Sequence, residues 1–185
     1  MKIAIIGCGY VGTAAARLWR NSGHQVTVTT TSSARVSELE QIANRVVVMK
    51  GTDINALEDV VTGQNVILLS IGARDRRIEI YREIYLETAK KLIKVLKQNG
   101  RVEQLIYTSS YGILGNKNGE WVNEESLVAP TSENSQILYE TEQVLLNVQI
   151  QDLKVCIIRL AGIYGTRREL INIFRNISGA TRPGT

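Results

Sequence analysis

Six residues near the N-terminus, Gly7-Cys8-Gly9-Tyr10-Val11-Gly12, restrict what this chain can fold into more than any other segment. They fit G-x-G-x-x-G directly after an apolar run, Ile3 to Ile6, and directly before Ala14-Ala15-Ala16. In that setting the first glycine makes a tight turn, the second lets the backbone approach a pyrophosphate, and the third lets a helix pack closely on a strand. Val11, Ala14, Ala15, Leu18 and Trp19 share one face of the helix that follows, whose N-terminus would face the anion.

The remaining sequence alternates β-branched runs with longer helical patterns. Strands are expected over 3–6, 25–30, 45–49, 65–70, 104–108 and 154–160, mostly continuous in apolar character as buried parallel strands are. Tyr81, Ile84, Tyr85, Thr88, Leu92, Val95 and Leu96 mark the core stripe of a helix that stops at Asn99-Gly100. Ile137, Thr141, Val144, Leu145 and Val148 mark another. Leu86 and Ile93 fall opposite the first stripe, and Tyr139, Leu146 and Ile150 opposite the second, a pattern that suits a packing surface or a homodimer. Strands alternating with helices predict an α/β fold with a doubly wound parallel sheet in three αβα layers. The one long loop, 112–133, is rich in Gly, Asn, Ser and charge, the kind of loop that carries function.

Charge and cysteine content remove several alternatives. Cys8 and Cys156 lie far apart and form no secreted disulfide framework, and one histidine without clustered thiols makes no zinc site. The N-terminal apolar run is too short for a signal peptide or a membrane span, which implies a reducing, cytoplasmic setting. The net charge of +4 is dispersed; Lys90, Lys91, Lys94, Lys97 and Arg101 read as a solvated helix end rather than a nucleic-acid patch. Arg74, Arg76 and Arg77 read as solvated charge too.

A fold of this kind ordinarily carries an Asp or Glu about 20 residues past the turn, on the ribose 2′-hydroxyl of NAD. Here the second strand ends in Thr30-Thr31-Ser32, then Arg35, and Glu38 is the first acidic residue of the chain. Several hydroxyl donors, no carboxylate to repel a 2′-phosphate and an arginine that can fork onto one favour NADP, with NAD the alternative.

Together these segments resemble the NAD-dependent epimerase/dehydratase group of the extended short-chain dehydrogenase/reductases, a Rossmann-type fold. Gly7, Gly9, Tyr10, Val11 and Gly12 match its glycine turn, and Asp53-Ile54 its segment after the third strand, where an Asp contacts adenine. Ser70-Ile71-Gly72 matches its fourth-strand turn beside the cofactor. Tyr107 to Gly115 resembles the fifth-strand segment that holds a catalytic Ser or Thr, with Ser110 in that register. Residues 159–165 resemble the sixth-strand exit toward nicotinamide and substrate.

The family's catalytic Tyr, and the Lys four residues later, fall on Asn134 and Leu138. No Tyr in the chain has Lys at that spacing, and an unassisted phenol titrates near 10, far from neutrality. The chain thus looks like an atypical member, with Ser110, Tyr111 and Tyr164 the remaining polar candidates; each could equally serve as a hydrogen-bonding group in a strand-end loop. His24 precedes the second strand, remote from the strand ends where such sheets bind ligands. The resemblance also implies a smaller substrate lobe after the sixth strand, so residues 1–165 read as a dinucleotide-binding domain and 166–185 as the start of a truncated lobe. Two functions stay open: an oxidoreductase or epimerase acting on a small polar, sugar-nucleotide-like molecule, and a non-catalytic NADP(H)-binding sensor or interaction module.

Overall fold

The computed structural model describes residues 1–98 and 101–171. In chain order the elements are β1 (Lys2–Ile6), α1 (Tyr10–Asn21), β2 (Gln25–Thr30), α2 (Val36–Glu40), β3 (Arg45–Val48), α3 (Ile54–Val61), β4 (Val66–Leu69) and α4 (Ile78–Tyr81). A π-helical stretch, Arg82–Glu87, joins α4 to α5 (Thr88–Gln98), and β5 (Gln104–Ser110), α6 (Glu133–Leu146) and β6 (Lys154–Leu160) follow. The expected stop at Asn99-Gly100 lies outside the described residues. The six strands pair in the order β3-β2-β1-β4-β5-β6, all parallel.

The apolar runs follow from position in the sheet. β1 and β4 are central and covered on both faces, so Ile3 to Ile6 and Val66 to Leu69 are all buried. One core lies under α3, α5 and α6 and the other under α1 and α2, which makes three layers. Each fully buried Leu or Ile contributes about 1.5–3 kcal/mol of transfer free energy. β6 differs from the continuous burial expected of it. It is an edge strand whose residues alternate in exposure, and Ile158 is 42% exposed.

The stripe along α5 is wider than a single-face reading gives. Leu86 and Ile93, placed by their spacing on a free face, are buried in the main core. The helix packs against both α3 and α6 as well as the sheet, and the π stretch shifts the helical register at Leu86. That removes both residues from any dimer surface. The helix α2 opens directly after Arg35 without a side-chain cap, whereas α3 carries a standard N-cap in Asp53: its Oδ1 accepts from the N–H groups of Asn55 and Ala56, both at 3.1 Å. Among the described residues no helix is long and apolar enough to cross a membrane.

Candidate functional site

The sheet order reverses direction between β1 and β4, and open α/β sheets bind ligands beside that point, at the carboxyl ends of the strands. Gly7 closes β1 with φ +88, and a Cβ there would meet the Ser70 carbonyl oxygen at 2.7 Å and Ile71 at 2.8 Å. Only glycine lets the two strand ends approach so closely. A Cβ on Gly12 would strike the Gly7 carbonyl oxygen at 2.8 Å, so this third glycine lets α1 lie on the turn. Gly9 is the opposite case, with nothing within 4 Å of its absent side chain.

Gly9 is also the N-cap of α1; no side chain caps the helix and its first turn holds no acid. Uncapped amides at the positive end of the helix dipole, beneath open space, fit a pyrophosphate. Thr29, which no local motif singles out, holds the turn in place: its Oγ1 accepts the Gly7 N–H at 2.9 Å, and its carbonyl accepts the Cys8 N–H at 2.8 Å. Its signal was the inward register of a hydroxyl on β2.

Residues 30–35 curl around the same turn. Thr30 Oγ1 accepts the Ser32 N–H at 3.2 Å, whereas Thr31 is exposed. A 3-10 turn, Ser33–Arg35, swings Arg35 back so that Nη1 donates to the Cys8 carbonyl at 2.6 Å. Its Nε and Nη2 donate to Glu38 at 3.2 and 3.4 Å. Glu38 is held below the ordinary carboxylate range, first by its hydrogen bond with Arg35 and by the charge of that group. The buried Cys8 thiol is shifted the other way by desolvation, which makes it a poor nucleophile. Asp53 is exposed, and its observed role is the cap on α3.

An apolar hollow of about 250 Å³ lies between Val11, in the first turn of α1, and the exit of β6, lined by Leu160, Ala161, Gly162, Ile163 and Tyr164. A larger polar groove of about 530 Å³, around Met1, Gln25 and Arg101, sits at the amino ends of the strands, the wrong end for chemistry in this fold. His24 is there too, with Nδ1 3.4 Å from the N-terminal amine. Thr108 Oγ1 reaches Ser70 Oγ at 3.2 Å, tying β5 to β4 at their carboxyl ends. Ser110 Oγ accepts the Gly112 N–H at 3.1 Å, which leaves its own proton free to donate to a ligand oxygen. Ile54 and Ile71 are half-buried against the core, Gly72 is exposed, and Tyr10 and Tyr111 are 41% and 53% exposed.

The helix that would carry proton transfer is built for packing. Asn134 is the second residue of α6; its Nδ2 donates to the Arg76 carbonyl at 3.0 Å, and its Oδ1 is buried without a partner. Leu138 is 8% exposed and belongs to the main core. Neither nearby buried phenol is tuned for acid–base work. Tyr85, which accepts the Ala73 N–H, is pushed up to about 12 by burial, and Tyr107 is raised well above 10.0 for the same reason. The fully buried Glu142 meets Arg159 of β6 at 2.9 Å, which pins α6 to the sheet edge. Its signal was a carboxylate between Leu138 and Leu145 on one helical face. Among the described residues no group of His, Cys, Asp and Glu could hold a metal ion.

A family model described as NAD(P)H-binding matches residues 7–175. No curated protein matches the sequence. Among solved structures the chain is similar to a dTDP-glucose 4,6-dehydratase from Streptomyces venezuelae with NAD bound, at 18% identity and TM-score 0.78, covering 99% of this chain and 64% of that one. It is also similar to UDP-glucose 4-epimerase from Bifidobacterium longum with NAD+ and UDP, at 20% identity, TM-score 0.75, and 86% and 52% coverage. UDP-glucuronic acid 4-epimerase from Bacillus cereus, solved with NAD, gives 19% identity, TM-score 0.74, and 89% and 58% coverage. These likenesses show a shared Rossmann-type fold. The chain spans between 52% and 64% of the length of these structures.

Proposed function

Because the chain belongs to the NAD(P)H-binding family, we propose that it binds NADP(H) in preference to NAD(H) and serves as an atypical epimerase/dehydratase-like oxidoreductase. The observation that carries this reading is Arg35, 2.6 Å from the Cys8 carbonyl beside the open, uncapped start of α1. Gly7, Gly9, Tyr10, Val11 and Gly12 would cradle the pyrophosphate. Thr30, Thr31, Ser32 and Arg35 would meet the adenosine ribose and its 2′-phosphate, Asp53 and Ile54 the adenine, and Ser70, Ile71 and Gly72 the middle of the cofactor. The structural relatives were solved with NAD; the proposed difference here follows from the missing acid at the end of β2.

A nicotinamide held there would supply or accept a hydride. This chain's own part is to orient the substrate: the Ser110 hydroxyl would donate to a substrate oxygen at the mouth of the apolar hollow, with Tyr111 beside it. The activities of the relatives, a dTDP-glucose dehydratase and two UDP-sugar epimerases, support a small polar or sugar-nucleotide-like substrate, and a substrate lobe would begin after Gly165. A homodimer would rest on Leu146, 47% exposed, and half-buried Tyr139, now that Leu86 and Ile93 are assigned to the core.

A second reading, an NADP(H)-binding module without turnover, is favoured by one observation: the positions expected of the Tyr and Lys hold Asn134 and the core residue Leu138. Incubation with 4-deuterated NADPH and a panel of sugar-nucleotide ketones separates the two. The enzyme reading expects deuterated product, and cofactor binding with no transfer across the panel would establish the module.

A further inference from the structure

Residues 70–77 leave β4, enter α4 and lie against the glycine turn on the way. A Cβ on Gly7 would meet the Ser70 carbonyl oxygen at 2.7 Å and the Ile71 Cα at 2.9 Å, so the two backbones are in direct contact. Gly72 follows, exposed, with no protein atom within 4 Å of the place its side chain would take. Two side chains from other elements then fasten this loop by its main chain. The Ala73 N–H donates to the Tyr85 hydroxyl oxygen at 3.1 Å, and the Arg76 carbonyl accepts from Asn134 Nδ2 at 3.0 Å.

Tyr85 belongs to the π-helical stretch Arg82–Glu87. In a regular α-helix consecutive side chains point about 100° apart, whereas a π turn takes in an extra residue and lets neighbours share one side. Tyr85 and Leu86 are accordingly both buried. Helical insertions of this kind recur at functional sites. Tyr81, one turn earlier, braces the Tyr85 ring, with the two ring centres 4.7 Å apart. A phenylalanine would fill the same space in the core. What the hydroxyl adds is a grip on one loop amide, two residues beyond the contact with the glycine turn.

We infer that Tyr85 is a positioning residue for the cofactor: its hydroxyl, with Asn134 at the other end of the loop, holds residues 71–73 in place so that the open side at Gly72 meets the dinucleotide beyond its adenosine. The inference rests on the dinucleotide reading above. It also gives Asn134, at the position expected of a tyrosine, a task in the same site: it holds main chain instead of moving a proton. Both struts reach the loop from the helical layer that packs as a core, so packing on that side sets the shape of the binding side.

Calorimetric titration of the whole chain with NADPH, NADH, 2′,5′-ADP and 5′-AMP tests this, because the last two ligands end at the adenosine. Tyr85→Phe keeps the ring and removes the oxygen that Ala73 uses. It should weaken NADPH and NADH about fivefold and leave 2′,5′-ADP and 5′-AMP within about twofold. The gain in fluorescence of the reduced dinucleotide on binding should shrink in the variant, since a looser loop confines the nicotinamide less. Asn134→Ala should show the same selectivity at about two- to threefold, and urea midpoints report whether each variant is folded. Equal weakening of dinucleotides and adenosine nucleotides by the folded variants, or no weakening, overturns the inference and leaves the dinucleotide reading standing. If the parent chain binds neither NADPH nor NADH, that reading fails and the positioning role fails with it.

Discussion

Around the glycine turn three features suit an anion: Gly9 leaves open space, the first turn of α1 carries no acid, and Arg35 leans over the Cys8 carbonyl, although Arg35 is already paired with the Glu38 carboxylate. At the other end of the sheet, along β5, β6 and α6, the features suit packing. Leu138, the position expected of a lysine, is buried, and Glu142 is wholly buried in an ion pair with Arg159. The glycine turn thus has the open amides that a dinucleotide would need, while the other end has the chemistry of a core. In the proposed reading different elements would supply dinucleotide binding and proton transfer, so the two would be separable.

The largest effect that could break this comparison lies in the ion pair. Arg159→Met would strand the buried Glu142 carboxylate and cost about 3–5 kcal/mol, lowering the melting temperature by about 10 °C in a chain of this size. A small shift would mean that Glu142 is solvated or protonated and available for chemistry. Next comes Gly9→Ala, whose methyl meets no protein atom. It should reduce dinucleotide affinity about 100-fold, about 2.7 kcal/mol, with the melting temperature almost unchanged. Unchanged affinity in a fluorescence titration would move the anion away from α1.

Leu138→Lys sharpens the contrast from the other side. An ammonium among core side chains should cost about 1–2 kcal/mol even with its stem extended toward solvent, measured by urea unfolding. A stable variant would show a site ready to accept the missing cation. Ser110→Ala loses one hydrogen bond to the Gly112 amide, about 1 kcal/mol, and should leave cofactor affinity intact while abolishing or sharply lowering any deuteride transfer. Transfer at the parent rate would remove Ser110 from the proposed role.

The smallest effect is alkaline. The folded Cys8 thiol titrates above its ordinary 9.0, and Tyr85 moves from 10.0 to about 12. Both groups hold their protons longer folded than unfolded, so their contribution is complete below pH 9 and declines as pH rises through the shifted values. Urea midpoints should fall between pH 9 and 11, and Cys8→Ala should flatten the first part of the fall. A midpoint that rises with pH would contradict the burial of both groups.

How far the sequence could be read depended on the range of each interaction. The glycine turn, β1 and the alternation of strands and helices were legible because their signals are local: a spacing, a run, a period. Arg35 and Glu38 were both visible just after β2, but the ion pair between them was not read. Leu86 and Ile93 were misplaced because helical spacing assigns one face, whereas α5 meets the sheet, α3 and α6 together. Thr29 needed the register of β2 against β1, and the approach of Arg168 to Tyr10 joins residues from opposite ends of the chain. No local pattern announces contacts of that kind.

The central claim is that the site beside Gly9 and Arg35 takes a dinucleotide and distinguishes its 2′-phosphate. Titrating the parent chain with NADPH and NADH under identical salt conditions tests it most directly. The account predicts saturable one-to-one binding of both, with NADPH tighter by about tenfold or more. Equal affinities, tighter NADH, or no binding of either would contradict it.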